Sequence, residues 1–227
     1  MRPTTSLVDL AARVASPASP LVTYYDADTG ERVELSGVTT ANWVAKTGNF
    51  LIGELDAEIG TRLRIGLPTH WLRAVWLLSA WQVGAVVTDD DAQIAVTGPD
   101  LAADEPERVA SALLPFGVRF PTPPEGFWDL GAEVPGHPDV YLGVDAPVLQ
   151  DDAVDLPGLS ATHADLLSLT PDSRRLVVGE GDVARDARLL VAACLGGGSL
   201  VLVRGGEQAH LERIAVQEQA IIWSPSV

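Results

Sequence analysis

Apolar positions recur along this chain with two alternating periods, and that alternation outlines an α/β protein. Leu21 to Tyr25 and Arg32 to Leu35 are short β-prone runs around Asp26-Ala27-Asp28-Thr29-Gly30, which predicts an opening hairpin. From Thr39 to Leu55 the apolar residues Trp43, Val44, Phe50, Leu51 and Leu55 fall at helix spacing, with Thr39 or Thr40 as the cap. Arg62 to Leu67 alternates as a strand and Pro68 ends it. His70 to Val83 then reads as an apolar helix, and Ala85 to Thr88 as the next strand. Trp71, Trp76 and Trp81 are five residues apart and spread around that helix, as in an element packed on more than one side.

Gln93 to Thr97 predicts another buried strand and Glu107 to Leu114 a short helix. The pattern then loosens. Residues 115–147 hold seven prolines and five glycines, with short strands expected at Val118 to Phe120 and Val140 to Leu142. Beyond them the types alternate cleanly: Arg175 to Val178 strand, Val183 to Leu195 helix, Ser199 to Val203 strand, Gln208 to Gln219 helix, Ala220 to Trp223 strand. Such a βαβαβ run implies parallel strands with right-handed crossovers. The chain is expected to be one α/β domain over 1–227, with mixed or parallel sheets flanked by helices. Two subdomains, 1–114 and 148–227, can be drawn on either side of the 115–147 crossing.

Composition narrows the classes of function. With 227 residues and 47% hydrophobic content the chain can bury a full core. Its formal charge of −16 repels phosphate backbones and anionic lipid, so neither nucleic acid nor a membrane surface is an expected partner. No apolar run approaches the ~20 residues that span a bilayer, and Met-Arg-Pro-Thr-Thr-Ser at the start is not followed by an apolar signal segment. A cytoplasmic location is the expectation. Cys194 is the only cysteine and lies in an apolar stretch, as a core thiol does. Lys46 is the only lysine among fifteen basic residues, which removes the common source of a mobile point charge for phosphate.

Four segments in order carry a family resemblance. Leu35-Ser36, then Trp43 to Leu55, then Gly60-Thr61-Arg62-Leu63-Arg64-Ile65-Gly66-Leu67-Pro68 is the first. Gln82-Val83-Gly84-Ala85-Val86-Val87 at the end of the tryptophan helix is the second. Leu159-Ser160-Ala161-Thr162-His163-Ala164-Asp165-Leu166-Leu167 and Leu195-Gly196-Gly197-Gly198-Ser199-Leu200-Val201-Leu202 complete the set. Together they resemble the N-terminal part of acyl-adenylate-forming enzymes, the AMP-binding synthetases and ligases. The resemblance implies that family's N-terminal scaffold, and it places a phosphate loop of Ser, Thr and Gly followed by Pro-Lys-Gly at residues 148–160.

Here those positions read Val-Leu-Gln-Asp-Asp-Ala-Val-Asp-Leu-Pro-Gly-Leu-Ser. Asp151, Asp152 and Asp155 beside a triphosphate would oppose binding unless a metal bridged them. The aromatic and histidine segment of the family is replaced by Leu176-Val177-Val178-Gly179-Glu180-Gly181-Asp182, without the histidine. After Trp223 the family's adenine segment, ribose-binding aspartate, hinge and C-terminal catalytic lysine find no counterpart in these 227 residues. Lys46 lies on an N-terminal helix and cannot replace that lysine. Adenylation by this chain alone is therefore not expected, and no catalytic residue, metal or cofactor is assigned. The expected role is that of a non-catalytic relative: a binding, regulatory or partner protein, with another protein or a second copy as candidate partner. One half of a split ligase is a further alternative.

A rival motif is Gly179-Glu180-Gly181-Asp182-Val183-Ala184, which fits the Gly-x-Gly-x-x-Gly/Ala dinucleotide fingerprint between a strand and a helix. It makes Gly179, Gly181 and Asp182 candidate cofactor-binding residues of an oxidoreductase, with Arg204 placed to meet a 2′-phosphate. Against it, Glu180 and Asp182 put negative charge where a pyrophosphate needs positive potential, and Asp182 serves more simply as an N-cap. Gly196-Gly197-Gly198-Ser199 lies between helix and strand, the wrong order for a phosphate loop, and reads as a helix-ending turn. His70, His137, His163 and His210 show no metal-ligand spacing.

Overall fold

The computed structural model describes Leu7, Leu10 and residues 19–224; residues 1–6, read above for a signal segment, lie outside them. Two sheets organise the chain. One has the order β12-β10-β11-β1-β2, from β1 (Pro20–Asp26), β2 (Arg32–Ser36), β10 (Arg175–Val178), β11 (Ser199–Arg204) and β12 (Ile221–Ile222). The other has the order β7-β6-β5-β3-β4-β8-β9, from β3 (Arg62–Ile65), β4 (Val86–Thr88), β5 (Ile94–Thr97), β6 (Glu107–Ala110), β7 (Trp128–Asp129), β8 (Asp152–Leu156) and β9 (Leu159–Thr162). All neighbours are parallel except the hairpins β1–β2 and β8–β9. The halves of the sequence are thereby interleaved, since β1 and β2 join the late strands and β8 and β9 join the early ones.

The opening hairpin turns where the Asp26 carboxylate accepts from the amides of Asp28 and Thr29, both at 2.9 Å, and Gly30 takes φ +74°. Helix α1 (Gly37–Glu54) starts earlier than its threonines suggested. Ser36 is the cap, its hydroxyl accepting from Thr39 N at 3.1 Å, and Thr39 lies inside the helix. Helix α2 (Trp71–Val83) is capped by His70 Nδ1 and ended by Gly84 at φ +88°. Twelve of its thirteen residues are buried, because it lies against β1 of one sheet, β3 and β4 of the other, and helix α1. Trp71, Trp76 and Trp81 are all buried, as their spread around the helix predicted. Trp81 also donates from Nε1 to Ala153 O of β8 at 3.1 Å.

The late run follows its pattern, with α5 (Val183–Gly196) and α6 (Gln208–Gln217) between parallel strands. The middle departs from it. Glu107 to Leu114, expected as a helix, holds β6 instead: Val109 and Ala110 are fully buried and pair with β5. The strands expected at Val118 to Phe120 and Val140 to Leu142 join neither sheet; β7, the short α3 (Leu130–Glu133) and 3-10 turns at Pro115–Gly117 and Val134–Gly136 are the regular elements of the crossing. That crossing lies over α1. Lys46 Nζ donates to Pro135 O and His137 O at 3.1 and 2.5 Å, and the Asn49 amide holds Pro138 O, Val140 O and Leu142 N at 2.8 to 2.9 Å. The single lysine is thus a structural clasp.

Candidate functional site

Residues 148–160 are a β-hairpin. Strands β8 and β9 pair antiparallel with Leu156 opposite Leu159, leaving a two-residue turn, Pro157–Gly158, with Gly158 at φ +77°. Proline presets one turn position and glycine alone takes the other without strain, so the chain reverses with no slack. Helix α5 ties the turn down, the Arg188 guanidinium donating to Gly158 O. Thr162 and Asp165 then form a reciprocal capping box that starts α4 (His163–Leu167). The three aspartates are scattered: Asp151 accepts from Val148 N at 2.8 Å, Asp155 pairs with Arg62 at 3.2 Å, and Asp152 is exposed. Among the described residues no group of three metal-ligating side chains assembles here or elsewhere.

Across from this turn lies the Gly179-Glu180-Gly181-Asp182 corner, between β10 and α5. Asp182 caps α5, accepting from Arg185 N at 2.7 Å, as the sequence indicated. The corner is filled by arginines. Arg185 folds back to donate to Gly179 O at 2.7 Å, Glu180 O at 2.8 Å and Asp186 Oδ1 at 2.7 Å. A Cβ on Gly181 would overlap that guanidinium, so the glycine is what admits it. From α2, the buried Arg73 donates to Leu67 O, Gly181 O and Asp186 Oδ2. Gly181 N donates to Thr69 Oγ1 at 3.3 Å, and Glu180 Oε1 accepts from Gly205 N at 3.2 Å. The Arg185 guanidinium thus lies against both glycines of the motif.

Arg204 pairs with Asp26 at 3.6 Å. Burial works to raise the Asp26 pKa, but the amides of Thr29 and Asp28 and the Tyr24 hydroxyl outweigh it and hold the carboxyl below its ordinary range. Tyr24 is itself pushed up, first by burial and then by Asp26. His70 packs edge-on against Tyr24 at 4.5 Å between ring centroids; burial, reinforced by Arg204 and Arg73 and opposed by Asp26, lowers it to about 3. It is neutral at physiological pH.

The two turns are walls of one cleft. Pro157, Gly158, Asp182, Arg185, Arg188 and Trp223 line a space of about 570 Å³, with the Arg185 guanidinium 5.6 Å from the Trp223 ring. A smaller space of about 210 Å³ lies on the other side of Pro157 and Asp182, against Arg73 and Asp89. No Ser, Cys, Lys or His lines either one. Cys194 is buried, which pushes its thiol up to about 12, and His163 is buried with its pKa lowered by that burial. The candidates Gly179, Gly181 and Asp182 do come together, and with the hairpin turn. Arg73, Arg185 and Arg188, which set the character of the place, were not singled out from the sequence. A signal existed for two of them, because Arg185 and Arg188 are one helical turn apart just after the glycines.

No family model matches the chain. It is 34% identical over 233 residues to a TIGR03089 family protein of Mycobacterium tuberculosis, covering 90% of this chain and 91% of that protein. The chain belongs to that family. Among solved structures, this TIGR03089 family chain superposes on an acyl-CoA synthetase of Brucella canis with a TM-score of 0.76 at 16% identity, over 97% of its own length and 47% of the synthetase. An acetoacetyl-CoA synthetase of Streptomyces lividans gives 0.75 at 18% identity over 95% and 41%. A fatty acyl CoA synthetase of M. tuberculosis gives 0.68 at 14% over 95% and 48%. The TIGR03089 family chain therefore has the scaffold expected from the resemblance, that of part of an acyl-CoA synthetase, and spans about half or less of those enzymes. No helix among the described residues is long and apolar enough to cross a membrane.

Proposed function

We propose that this protein is a non-adenylating relative of the acyl-CoA synthetases and acts in the cytoplasm by binding, as a regulatory or partner protein. The observation that carries the reading is the Pro157–Gly158 turn, which reduces to two residues the segment where the resemblance places a phosphate loop. Cradling a triphosphate takes several converging N–H donors and a cation free to follow the charge. The donors of Arg73, Arg185 and Arg188 instead go to Asp186 and the carbonyls of Gly158, Gly179, Glu180 and Gly181. Asp182 and Asp89 add negative charge to the walls. Phosphate would have to break these bonds before gaining any of its own.

The test is pyrophosphate release from ATP and magnesium with a panel of short, medium and long carboxylic acids. The expected outcome is no release above the protein-free control. Turnover that depends on one of the acids would overturn the proposal.

A further inference from the structure

The least explained surface lies away from the cleft, on the stretch that ends the proline-rich crossing. Val140, Leu142 and Val144 are 67, 61 and 94% exposed, a run of apolar side chains at alternate positions. Between them Tyr141 points the other way, its ring against Gly48 of α1. That is the two-residue alternation of a strand, yet the segment belongs to neither sheet. Asn49 holds it as far as Leu142. Beyond that, the backbone groups of Gly143, Val144, Asp145 and Ala146 make no hydrogen bond to other described residues. A strand-like segment with unpaired backbone and an apolar outer row is what natural proteins cover or use. Beside it runs a cleft of about 440 Å³ lined by Ile52, Ala57, Ile59, Val83 and Tyr141, with Glu58 and Asp145 as its charged members.

Charge decides what covers it. Glu54, Asp56 and Asp139 flank the same elements, no Lys or Arg lines the cleft, and the chain as a whole carries −16. A second copy would bring the same acidic rim and be repelled, whereas a basic segment gains at every contact. We propose that residues 140–146 are a docking edge for an extended, basic segment of another protein. The segment adds to the edge as a strand, lays apolar residues over Leu142, Val144 and the adjoining cleft, and sets Lys or Arg against Glu58 and Asp145. This names the surface for the partner role proposed above and rests on that reading.

The probe is a fluorescein-labelled peptide, Lys-Val-Lys-Ile-Lys-Val, titrated with the full chain, alongside Lys-Ser-Lys-Ser-Lys-Ser and Glu-Val-Glu-Ile-Glu-Val. The first should bind at least tenfold tighter than either control. Its affinity should fall at least tenfold in Leu142→Ser/Val144→Ser and in Glu58→Gln/Asp145→Asn, and likewise in Val144→Pro, which removes one edge amide. All these side chains are at the surface, so unchanged melting temperatures should accompany the losses. Equal binding of the serine peptide, or full binding by the double serine variant, would overturn the site. So would a concentration-dependent dimer abolished by Leu142→Ser/Val144→Ser, which would give the surface to a second copy. Loss of the docking site with no pyrophosphate release leaves the non-adenylating role standing; release of pyrophosphate removes that role whatever the peptide does.

Discussion

The two turns that wall the cleft are closed by different means. Pro157–Gly158 is closed by its backbone: two residues reverse the chain, glycine takes the left-handed conformation, and a single arginine touches the outside. The Gly179-to-Asp182 corner keeps the length and glycines of an open loop but is filled by side chains, Arg185 from the helix it starts and Arg73 from α2. One turn has no spare residues with which to form a loop. The other has room and fills it with the protein's own cations. The first depends on local geometry, and the second on a buried charge network assembled from distant parts of the chain.

That difference predicts very unequal costs for removing one side chain from each. Asp186 is 4% exposed and accepts from both Arg73 and Arg185, so Asp186→Ala leaves a buried guanidinium without its counter-charge. Breaking such a pair costs roughly 3–5 kcal/mol, or a melting drop on the order of 10 °C for a chain of this size. Arg188→Ala removes one hydrogen bond at the surface and should cost about 1 kcal/mol or less. Urea denaturation of both variants measures this, and equal losses would erase the distinction.

Acid is a second way to strike the corner. His70 belongs to the same buttress, capping α2 three residues before Arg73. Its pKa is held at about 3 in the folded protein, so it stays neutral there, while the unfolded chain takes up a proton below about pH 6.5. Its contribution to stability is complete above that pH and is lost as pH falls toward 3, at up to ~1.4 kcal/mol per unit. His163, at the far end of the β8–β9 hairpin, is lowered by burial as well, so the two must be separated by mutation. His70→Asn keeps a capping acceptor. The stability lost between pH 7 and pH 5 should shrink in this variant by roughly 2 kcal/mol relative to wild type; an unchanged loss would mean that His70 is not the group titrating.

The same contrast explains what could be read from the sequence. The strands and helices from Arg175 onward were legible because β10, α5 and β11 are each buried with their own period and the types alternate to the end. Helix α2 was legible because it is apolar on all sides. Segment 107–114 was not: Glu-Arg-Val-Ala-Ser-Ala-Leu-Leu suits a helix locally, and only pairing with β5 makes four of its residues a strand. At 148–160 the Pro-Gly between two short alternating runs is a hairpin signal, overshadowed by the phosphate loop that the resemblance places there. Asp182 as a cap was legible because capping is local. The filling of the corner was not, since Arg73 lies 108 residues from Gly181 and no sequence pattern joins them.

The smallest substitutions separate the two kinds of closure most cleanly. A Cβ added at Gly158 would meet nothing within 4 Å, so Gly158→Ala suffers only the left-handed backbone, about 1–2 kcal/mol. Gly181 is not at positive φ, and its alanine meets only the end of a flexible side chain, Arg185. Swinging that guanidinium into water forfeits its bonds to Gly179, Glu180 and Asp186, which should cost about 1.5–3 kcal/mol. The backgrounds then decide. In Arg185→Ala the clash is gone, and Gly181→Ala should cost nothing further. In Arg188→Ala the strain at Gly158 is untouched, and Gly158→Ala should cost what it does in wild type. Double-mutant cycles by urea denaturation therefore expect coupling at the corner and none at the hairpin. Coupling between Arg188 and Gly158 as large as that between Arg185 and Gly181 would mean that both turns are held by side chains.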